Sequence, residues 1–422
     1  MHPTALLEAD TELVHRVLRF EHPADRVVAD FFREQRMLGA RDRKTLADGA
    51  FELMRRLPLY RHLASSANGG RGEIERRLAI LTWQGNDGVL RAGLDERERE
   101  WAERCRAFDR EALPARLRHN LPEWLAEPLE TRLGDDFWAW VAANDQPAPL
   151  DLRVNVMKAD RDEVLARLAS EGFGAAATPY SPLGIRVEGK PALLKLDVFE
   201  QGLVEVQDEG SQLLALAVGA KRSETVVDFC AGAGGKTLAL GAQMRNTGRL
   251  YAFDVSGHRL AALKPRLARS ALGNVHPAQI AHERDERVKR MAGKVDRVLV
   301  DAPCTGSGTL RRHPDLKWRQ STETLAALAP QQRAILAAAS TLVKPGGRLV
   351  YATCSVLEAE NESVAEEFDA AHGAVFTRIP AGECLDRAHV AAVEGLVAGD
   401  DLRLWTHLHR TDSFFAAVWE RR

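Results

Sequence analysis

Two cysteines stand directly after two apolar segments of the sequence. Cys304 ends the segment VLVDAPC at residues 298–304, and Cys354 follows the segment LVYAT at residues 349–353. Both segments are typical of buried parallel strands, whose carboxyl ends meet at one edge of a sheet. We therefore expect both thiols to face one crevice. A buried cysteine is usually an inert small hydrophobic residue. The position of these two cysteines at the edge of the sheet is what favours a reactive role for them.

A pair of thiols in such a crevice suits the methylation of a pyrimidine carbon. C5 of cytosine is too weakly nucleophilic to attack a sulfonium methyl group unaided. A thiolate that adds to C6 turns the ring into an enamine, C5 takes the methyl group, a base removes the C5 proton, and the thiolate leaves. This is nucleophilic catalysis, which needs a cysteine whose pKa is lowered by its surroundings. A carboxylate such as Asp301 can hold the N3/N4 edge of the base.

A glycine-rich turn between a predicted strand and a predicted helix, at residues 226–237, is a candidate cofactor site. Glycines let the backbone approach a ligand, and the helix N-terminus offers unpaired N–H groups to an anion. A Walker A loop needs Gly where this chain has Cys230, and a dinucleotide fingerprint needs Gly or Ala where it has Thr237. Asp254, after the next strand, suits ribose hydroxyls in a dinucleotide or an S-adenosylmethionine site alike. A tight turn without any ligand is the other alternative.

The elements around these residues alternate between strand and helix. That alternation predicts a parallel, doubly wound sheet. Gly346-Gly347 indicates a turn, and residues 414–419 predict an antiparallel edge strand. The predicted strands are residues 225–229, 249–253, 297–300 and 348–351, and the main helical stretches are 258–271 and 322–342.

The upstream part of the chain shows two other patterns. Apolar residues at three- and four-residue spacing predict helices from residue 5 to about 140, with loop chemistry at Asn68, Gly69, Gly70 and Gly72. A linker at 146–149 places a boundary near Asn144. Strands at 150–154 and 184–187 and a helix at 161–171 then predict a small α+β module that ends near Asp197. The sequence thus predicts domains 1–144, 145–197 and 198–422.

Composition sets the class of protein. The 422 residues are 45% hydrophobic and 28% charged, without an apolar stretch near the roughly 20 residues of a membrane span, so a soluble protein without membrane contact is expected. Acidic residues near the N-terminus argue against a secretory signal and favour the cytoplasm. A net charge of −2 means that nucleic acid must bind through local basic patches. The five cysteines contain no CxxC pair, which excludes a zinc site or disulfide framework and predicts free thiols and no metal: Cys105, Cys230, Cys304, Cys354 and Cys384.

Taken together, these motifs resemble the Sun/Fmu family of RNA cytosine-C5 methyltransferases, and within it the bacterial 16S ribosomal RNA methyltransferase B group. The likeness covers most of the chain. It implies a seven-stranded methyltransferase domain and S-adenosylmethionine as cofactor. The matching pieces, in family order, are 201–214 (QGLVEVQDEGSQLL), 228–237, Asp254, 301–318 (DAPCTGSGTLRRHPDLKW) and 351–362 (YATCSVLEAENE).

The resemblance also implies roles for single residues. Cys354 is implied as the nucleophile, Cys304 as an aid to product release and the base for the C5 proton, and Asp301 as a neighbour of methyl donor and base. DNA cytosine methyltransferases instead use the cysteine of a Pro-Cys dipeptide, and the sequence alone does not choose between the two. The implied cofactor contacts are Cys230, Ala231, Gly232, Ala233, Gly234, Gly235, Lys236, Asp254, Asp301 and, after the third strand, Asp285. Relatives commonly have Ala-Ala-Pro-Gly-Gly-Lys where this chain has residues 231–236, so a more flexible loop is expected.

Two basic segments are candidates for RNA binding. The segment after Cys304 combines cations with an aromatic side chain, which suits phosphate contacts and base stacking, although a solvated basic loop is the alternative. Residues 31–57 resemble a helical antitermination-factor-like RNA-binding domain. The alternative is a helical scaffold whose arginines are only solvated. Small-subunit ribosomal RNA is the expected partner of a monomeric enzyme; a transfer-RNA methyltransferase and a non-catalytic RNA-binding assembly factor are the alternatives. The candidate RNA contacts are Arg311, Arg312, His313, Lys317 and Trp318, with Arg33, Arg36, Arg41 and Arg43 in the N-terminal segment.

Overall fold

The computed structural model describes residues 1–66, 73–83, 87–189, 191–192 and 196–422. The chain divides into two compact units: Met1–Gln146 with Leu310–Thr322, and Pro147–Thr309 with Glu323–Arg422. The loop predicted at Asn68, Gly69, Gly70 and Gly72 lies outside the described residues. None of the described helices combines the length and the apolar character of a membrane span. The three-domain division stays a prediction.

Every regular element among the described residues of the first unit is a helix. Its helices bury one face each; the first one, for example, buries Leu6, Leu7, Leu13, Val14 and Val17 at helical spacing. The buried faces of the helices up to Glu96–Arg106 form one core, and the helical prediction is confirmed. The helices are Pro3–Val17, Ala24–Glu34, Ala40–Arg55, Leu57–Ser66, Ile74–Thr82, Asp87–Gly93, Glu96–Arg106, Ala115–Arg118, Glu123–Leu133, Phe137–Asn144 and Leu316–Arg319.

The second unit begins with a small antiparallel sheet. Its strands are β1 (Leu150–Val154), β2 (Ala175–Ala177), β3 (Gly184–Val187) and β4 (Val204–Val206), in the order β2-β3-β1-β4. The helix Arg161–Ser170 adds Val164 and Leu168 to its core. This sheet extends past the predicted end near Asp197, because β4 pairs with the free edge of β1.

A nine-stranded sheet forms the rest of the second unit. Its order is β11-β12-β13-β9-β8-β5-β6-β7, and β10 also pairs with β13. Strands β5 to β9 are parallel and β13 is antiparallel to β9, so the predicted doubly wound sheet is confirmed. Seven of these strands form the path β7-β6-β5-β8-β9-β13-β10. The short β11–β12 hairpin is an addition that pairs with β13 through β12. The strands are β5 (Thr225–Asp228), β6 (Arg249–Asp254), β7 (Val275–Gln279), β8 (Val295–Asp301), β9 (Val343–Thr353), β10 (Phe376–Ile379), β11 (Val397–Ala398), β12 (Asp401–Leu404) and β13 (Phe414–Arg421).

Two expectations about this sheet need correction. The strand predicted at 414–419 exists and is antiparallel, but it is not an edge, because β12 pairs with its first half and β10 with its last. The turn predicted at Gly346-Gly347 lies within β9, at a register shift against β8 where Gly346 has a φ of +73°. The glycine tolerates that left-handed backbone without a Cβ clash.

Helices cover both faces of the large sheet. Val226 of β5 faces one core and Val227 faces the other, as the alternation of strand side chains requires. Burial on both faces explains why the strands are continuous apolar segments in the sequence. The helices of this unit, beyond the one at Arg161–Ser170, are Asp197–Glu200, Glu209–Val218, Gly235–Gln243, Gly257–Ser270, Glu286–Lys289, Thr322–Ser340, Glu362–His372, Ala381–Arg387 and Thr406–His409.

Candidate active site

The two cysteines lie together at the carboxyl edge of the large sheet. Asp301, the last residue of β8, is in register with Ala352 near the end of β9. The loops that follow these strands bring Cys304 Sγ within 3.4 Å of Cys354 Sγ. Both residues are partly exposed. The structure thus places both thiols in one crevice.

The hydrogen bond between the two sulfurs affects the protonation of Cys304. It raises the pKa of Cys304 well above its usual range, and burial raises it further. Cys304 therefore keeps its proton at neutral pH. Whenever Cys354 is ionised, Cys304 is the donor and Cys354 the acceptor of this bond.

A buried carboxylate fixes the loop that carries Cys304. Glu360 is fully buried and accepts from the Thr305 N–H at 2.9 Å, the Thr305 hydroxyl at 2.6 Å and Gln332 Nε2 at 2.9 Å. Gln332 Nε2 also donates to the Pro303 carbonyl at 2.9 Å. The Tyr351 hydroxyl donates to the Glu360 backbone carbonyl at 2.6 Å and so ties the backbone of this residue to β9.

Asn361 fixes the loop that carries Cys354. Its Nδ2 donates to the Ser355 carbonyl at 2.9 Å, and its Oδ1 accepts from the Thr353 hydroxyl. The Gly308 N–H donates to the Cys354 carbonyl at 2.8 Å. Sequence reasoning missed Glu360 and Asn361. They lie inside the segment 351–362 that carries the family resemblance, which is the only signal the sequence gives for them.

An ion pair lies at the same edge. Lys236 Nζ donates to Asp301 Oδ2 at 2.7 Å. Burial by itself would lower the pKa of Lys236, but the Asp301 carboxylate outweighs it and the pKa is raised. Lys236 is therefore charged at neutral pH and holds the Asp301 carboxylate in place.

The glycine-rich turn has the geometry of a ligand cradle. Gly232 and Gly234 have φ values of +57° and +82°, and a Cβ on Gly234 would lie 2.2 Å from Leu263. Gly234 caps the helix Gly235–Gln243, whose first N–H groups open toward the carboxyl edge of the sheet. Arg153 of β1, which sequence reasoning also missed, is buried and donates to the Gly235 carbonyl at 2.9 Å. This contact ties the end of the turn to β1, while the greater flexibility of the loop stays a prediction.

Asp254 ends β6 next to this turn. Its Oδ2 accepts from the Gly232 N–H at 2.8 Å and its Oδ1 from the Ser256 N–H at 2.7 Å. The carboxylate is buried, and its remaining lone pairs suit the two hydroxyls of a ribose. The residues present therefore fit a nucleoside cofactor.

Two further candidates for the cofactor site, Asp285 and Cys230, have surroundings that explain them without a ligand. Asp285 accepts from the Ala281 N–H at 3.0 Å and the Arg287 N–H at 2.8 Å, so both its oxygens cap a local turn. Burial, with nearby carboxylates, raises the pKa of Cys230 well above its usual range, so this thiol keeps its proton at neutral pH. The assignment of Asp285 to the cofactor stays a prediction.

The segment 310–322 belongs to the helical unit. Lys317 is 1% exposed, and its Nζ donates to the carbonyls of Arg55 at 2.9 Å and Asn120 at 3.2 Å. Trp318 Nε1 donates to the Met54 carbonyl at 2.7 Å. Burial lowers the pKa of Lys317 to about 8. Lys317 thus holds this unit together and presents no amine to solvent in this structure, whereas His313 is exposed.

The fold and site define an S-adenosylmethionine-dependent methyltransferase. They combine a doubly wound sheet with a glycine cradle, an acidic ribose site and two thiols at one edge. Comparison with known proteins gives the family. The family described as 16S rRNA methyltransferase RsmB/F matches residues 215–420, and its ferredoxin-like domain matches residues 121–193.

Individual relatives agree with this match. The "Probable ribosomal RNA small subunit methyltransferase B" of Synechocystis sp. is 35% identical over 312 residues, which cover 74% of this chain and 69% of the relative. A crystal structure of a methyltransferase homolog protein from Pyrococcus horikoshii is 26% identical with a TM-score of 0.63, and the alignment covers 75% of this chain and 100% of that one. The structure of NSun6 from the same organism with SFG shares the fold at 20% identity and a TM-score of 0.61, over 71% of this chain and 98% of its own. The chain belongs to the RsmB/F methyltransferase family, and its cofactor is S-adenosylmethionine.

Replacing Asp254 by alanine is expected to weaken S-adenosylmethionine binding about 10- to 100-fold, because charge-assisted hydrogen bonds contribute roughly 1.5–3 kcal/mol each. Calorimetric titration of the full chain measures the effect. Asp386→Ala, which removes an exposed carboxylate from another helix, is the matched control and should bind as the unmodified protein does. Unchanged affinity in the Asp254 variant would remove this residue from the cofactor site.

Proposed function

We propose that this methyltransferase transfers a methyl group from S-adenosylmethionine to C5 of a cytosine in small-subunit ribosomal RNA, through a covalent bond between Cys354 and C6. The observation that carries the proposal is the 3.4 Å approach of Cys304 and Cys354 at the edge that also holds the glycine cradle and the Lys236–Asp301 pair. Paired thiols at this place suit a reaction that must both make and break a bond to sulfur.

The first half of the reaction belongs to Cys354 and Asp301. The Cys354 thiolate attacks C6, and the electron pair of the C5–C6 double bond moves into the ring as an enamine. Asp301, held by Lys236, binds the N3/N4 edge of the base and stabilises its protonated form. S-adenosylmethionine supplies an electrophilic methyl group on a sulfonium. C5 forms the new carbon–carbon bond as the bond from that methyl group to the sulfonium breaks.

The second half belongs to Cys304. Its raised pKa comes first from the hydrogen bond to Cys354. Once Cys354 Sγ is a thioether, that charged partner is gone, so the pKa of Cys304 falls and its proton passes to solvent. The Cys304 thiolate then takes the proton from C5, the C5–C6 double bond re-forms, and Cys354 leaves as a thiolate. Cys304 thus loses its proton to solvent and regains one from C5, and both cysteines end the turnover in the protonation states in which they began it.

The RNA substrate is inferred from relatives. The Synechocystis relative carries the name of a ribosomal RNA small subunit methyltransferase B, which favours ribosomal RNA over transfer RNA for this chain. A non-catalytic assembly factor would have no use for two partly exposed thiols in contact at the cofactor edge.

Mapping of 5-methylcytosine tests the proposal. Bisulfite sequencing of total RNA from a strain that lacks the protein should show loss of the modification at a cytosine of small-subunit ribosomal RNA, and the full-length chain should restore it. A strain that carries Cys354→Ala is the matched control and should resemble the deletion. Loss of the modification from transfer RNA instead would identify the protein as a transfer-RNA methyltransferase. An unchanged map would contradict the proposed reaction.

A further inference from the structure

A second cavity lies at the amino edge of the large sheet, away from the cysteines. Its volume is about 480 Å³, within the range of small-ligand sites. β8 contributes Arg297 from its amino-terminal half, β9 contributes Arg348, which is in register with Arg297, and Gly219–Lys221 contribute from the turn that precedes β5. The described lining residues all belong to the second unit.

The lining of this cavity is basic. No described lining residue is acidic. Two of the cations have carboxylate partners outside the lining: Arg297 pairs with Glu224 at 3.2 Å and Arg387 with Glu383 at 2.9 Å. The described residues supply no such partner to the others. The lining cations and histidine are Lys221, Arg245, Arg297, Arg348, Arg387 and His389.

Arg348 is the deepest of these cations. Its residue is 7% exposed, and its NH1 donates to the carbonyls of Ala217 at 3.0 Å and Val218 at 3.3 Å. Its Nε is buried and has no hydrogen-bond partner among the described residues. A Cβ on Gly219, whose φ is +63°, would lie 2.8 Å from the same guanidinium, so this glycine lets the backbone close around it.

Holding these charges together costs free energy. The pKa of Arg348 is lowered, first by burial and also by like-charge repulsion from Arg297 and Arg387, which together outweigh the raising effects of Cys384 and Glu420. A buried charge is normally balanced by a partner or by hydrogen bonds. An anion in the cavity would supply both to the buried Arg348, and it would also be attracted by the exposed Lys221 and by the exposed Arg245, whose NH1 donates to the Val156 carbonyl at 2.7 Å.

We propose that this cavity is a phosphate-binding site, and that the phosphate it takes is one of the substrate RNA on the side of the sheet opposite the target cytosine. The apolar walls, which include Pro182, Leu183 and Leu216, suit the ribose and base attached to such a phosphate. β8 is seven residues long, so the two edges of the sheet are roughly 20 Å apart, a span that a few nucleotides bridge.

The RNA part of this inference rests on the proposed function, whereas the phosphate part does not. A free nucleotide would offer the same chemistry as an RNA phosphate. The test therefore has one arm with RNA and one with small phosphates, both on the full chain.

The first arm measures RNA affinity across a salt titration. Lys221→Ala combined with Arg245→Ala removes two exposed cations of the cavity and spares the buried Arg348. Each lost phosphate contact should reduce the slope of log affinity against log salt by about 0.7. Arg222→Ala is the matched control, because Arg222 adjoins Lys221 and is exposed but does not line the cavity. The control should keep the slope of the unmodified protein, and S-adenosylmethionine affinity should stay the same in both variants.

The second arm uses calorimetry with inorganic pyrophosphate and AMP. A reduced salt slope in the double variant supports the RNA phosphate. An unchanged slope, with small-phosphate binding that the double variant loses, supports the phosphate site and assigns it to a free nucleotide. An unchanged slope without any small-phosphate binding would overturn the site, whatever the 5-methylcytosine map shows.

Discussion

Cys354→Ala is expected to reduce methyl transfer to background, a loss on the order of 10⁶-fold if the thiol acts as covalent nucleophiles do in other enzymes. Without attack at C6 the cytosine ring never becomes an enamine, and C5 stays too weak a nucleophile to take a methyl group. S-adenosylmethionine binding should persist, since the glycine cradle and Asp254 are untouched. Incorporation of labelled methyl groups into a transcript of small-subunit ribosomal RNA measures the rate.

A second cysteine gives the control for this variant. Cys105 is buried in the helical unit, and Cys105→Ala makes a comparable truncation of a thiol far along the chain from either catalytic loop. It should retain methyl transfer. Full activity in the Cys354 variant would contradict the covalent mechanism, because no other step of the proposal activates C5.

The parts of the fold that could be predicted from sequence are those with local signals. Strands buried on both faces appear as continuous apolar segments, and the glycines and Asp254 follow such segments directly. The strands β10 and β12 gave no such signal, because they are short and pair with only half of β13 each. Because β10 and β12 were not predicted, β13 was predicted to be an edge strand.

The parts of the site that could not be predicted depend on contacts between distant residues. Glu360 receives its hydrogen bonds from Thr305 and Gln332, which are 55 and 28 positions away. The segment around Lys317 has the composition of a solvated basic loop. The Lys317 ammonium is nevertheless buried, and it donates to carbonyls that are 262 and 197 positions away in the sequence. Periodicity and motif spacing carry no information on such pairings.

The proposed reaction requires two cysteines at the same edge. A lone nucleophilic thiol would form the adduct but would leave the C5 proton without a base beside it. The 3.4 Å contact couples the two groups, so that the state of Cys354 sets the pKa of Cys304. The loops around Glu360 and Asn361 keep that distance short, which makes these two residues positioning residues for the pair.

Cys304→Ala is therefore expected to separate the two halves of the reaction. Cys354 should still attack C6 and C5 should still take the methyl group, but the C5 proton has no base and the thioether cannot break. The variant should accumulate protein joined to RNA, in a yield near one adduct per active site. Denaturing electrophoresis with labelled RNA detects this product, because a covalent bond survives conditions that disrupt binding.

The double variant gives the decisive comparison. Cys304→Ala together with Cys354→Ala should form no adduct, since the bond runs through Cys354, and label from S-adenosylmethionine should enter the trapped complex of the single variant because methyl transfer precedes the block. An adduct in Cys354→Ala and none in Cys304→Ala would reverse the roles and make Cys304 the nucleophile, as in DNA cytosine methyltransferases. The 3.4 Å separation places either sulfur within reach of one base, so the position of the covalent bond, and not the fold, distinguishes the two assignments.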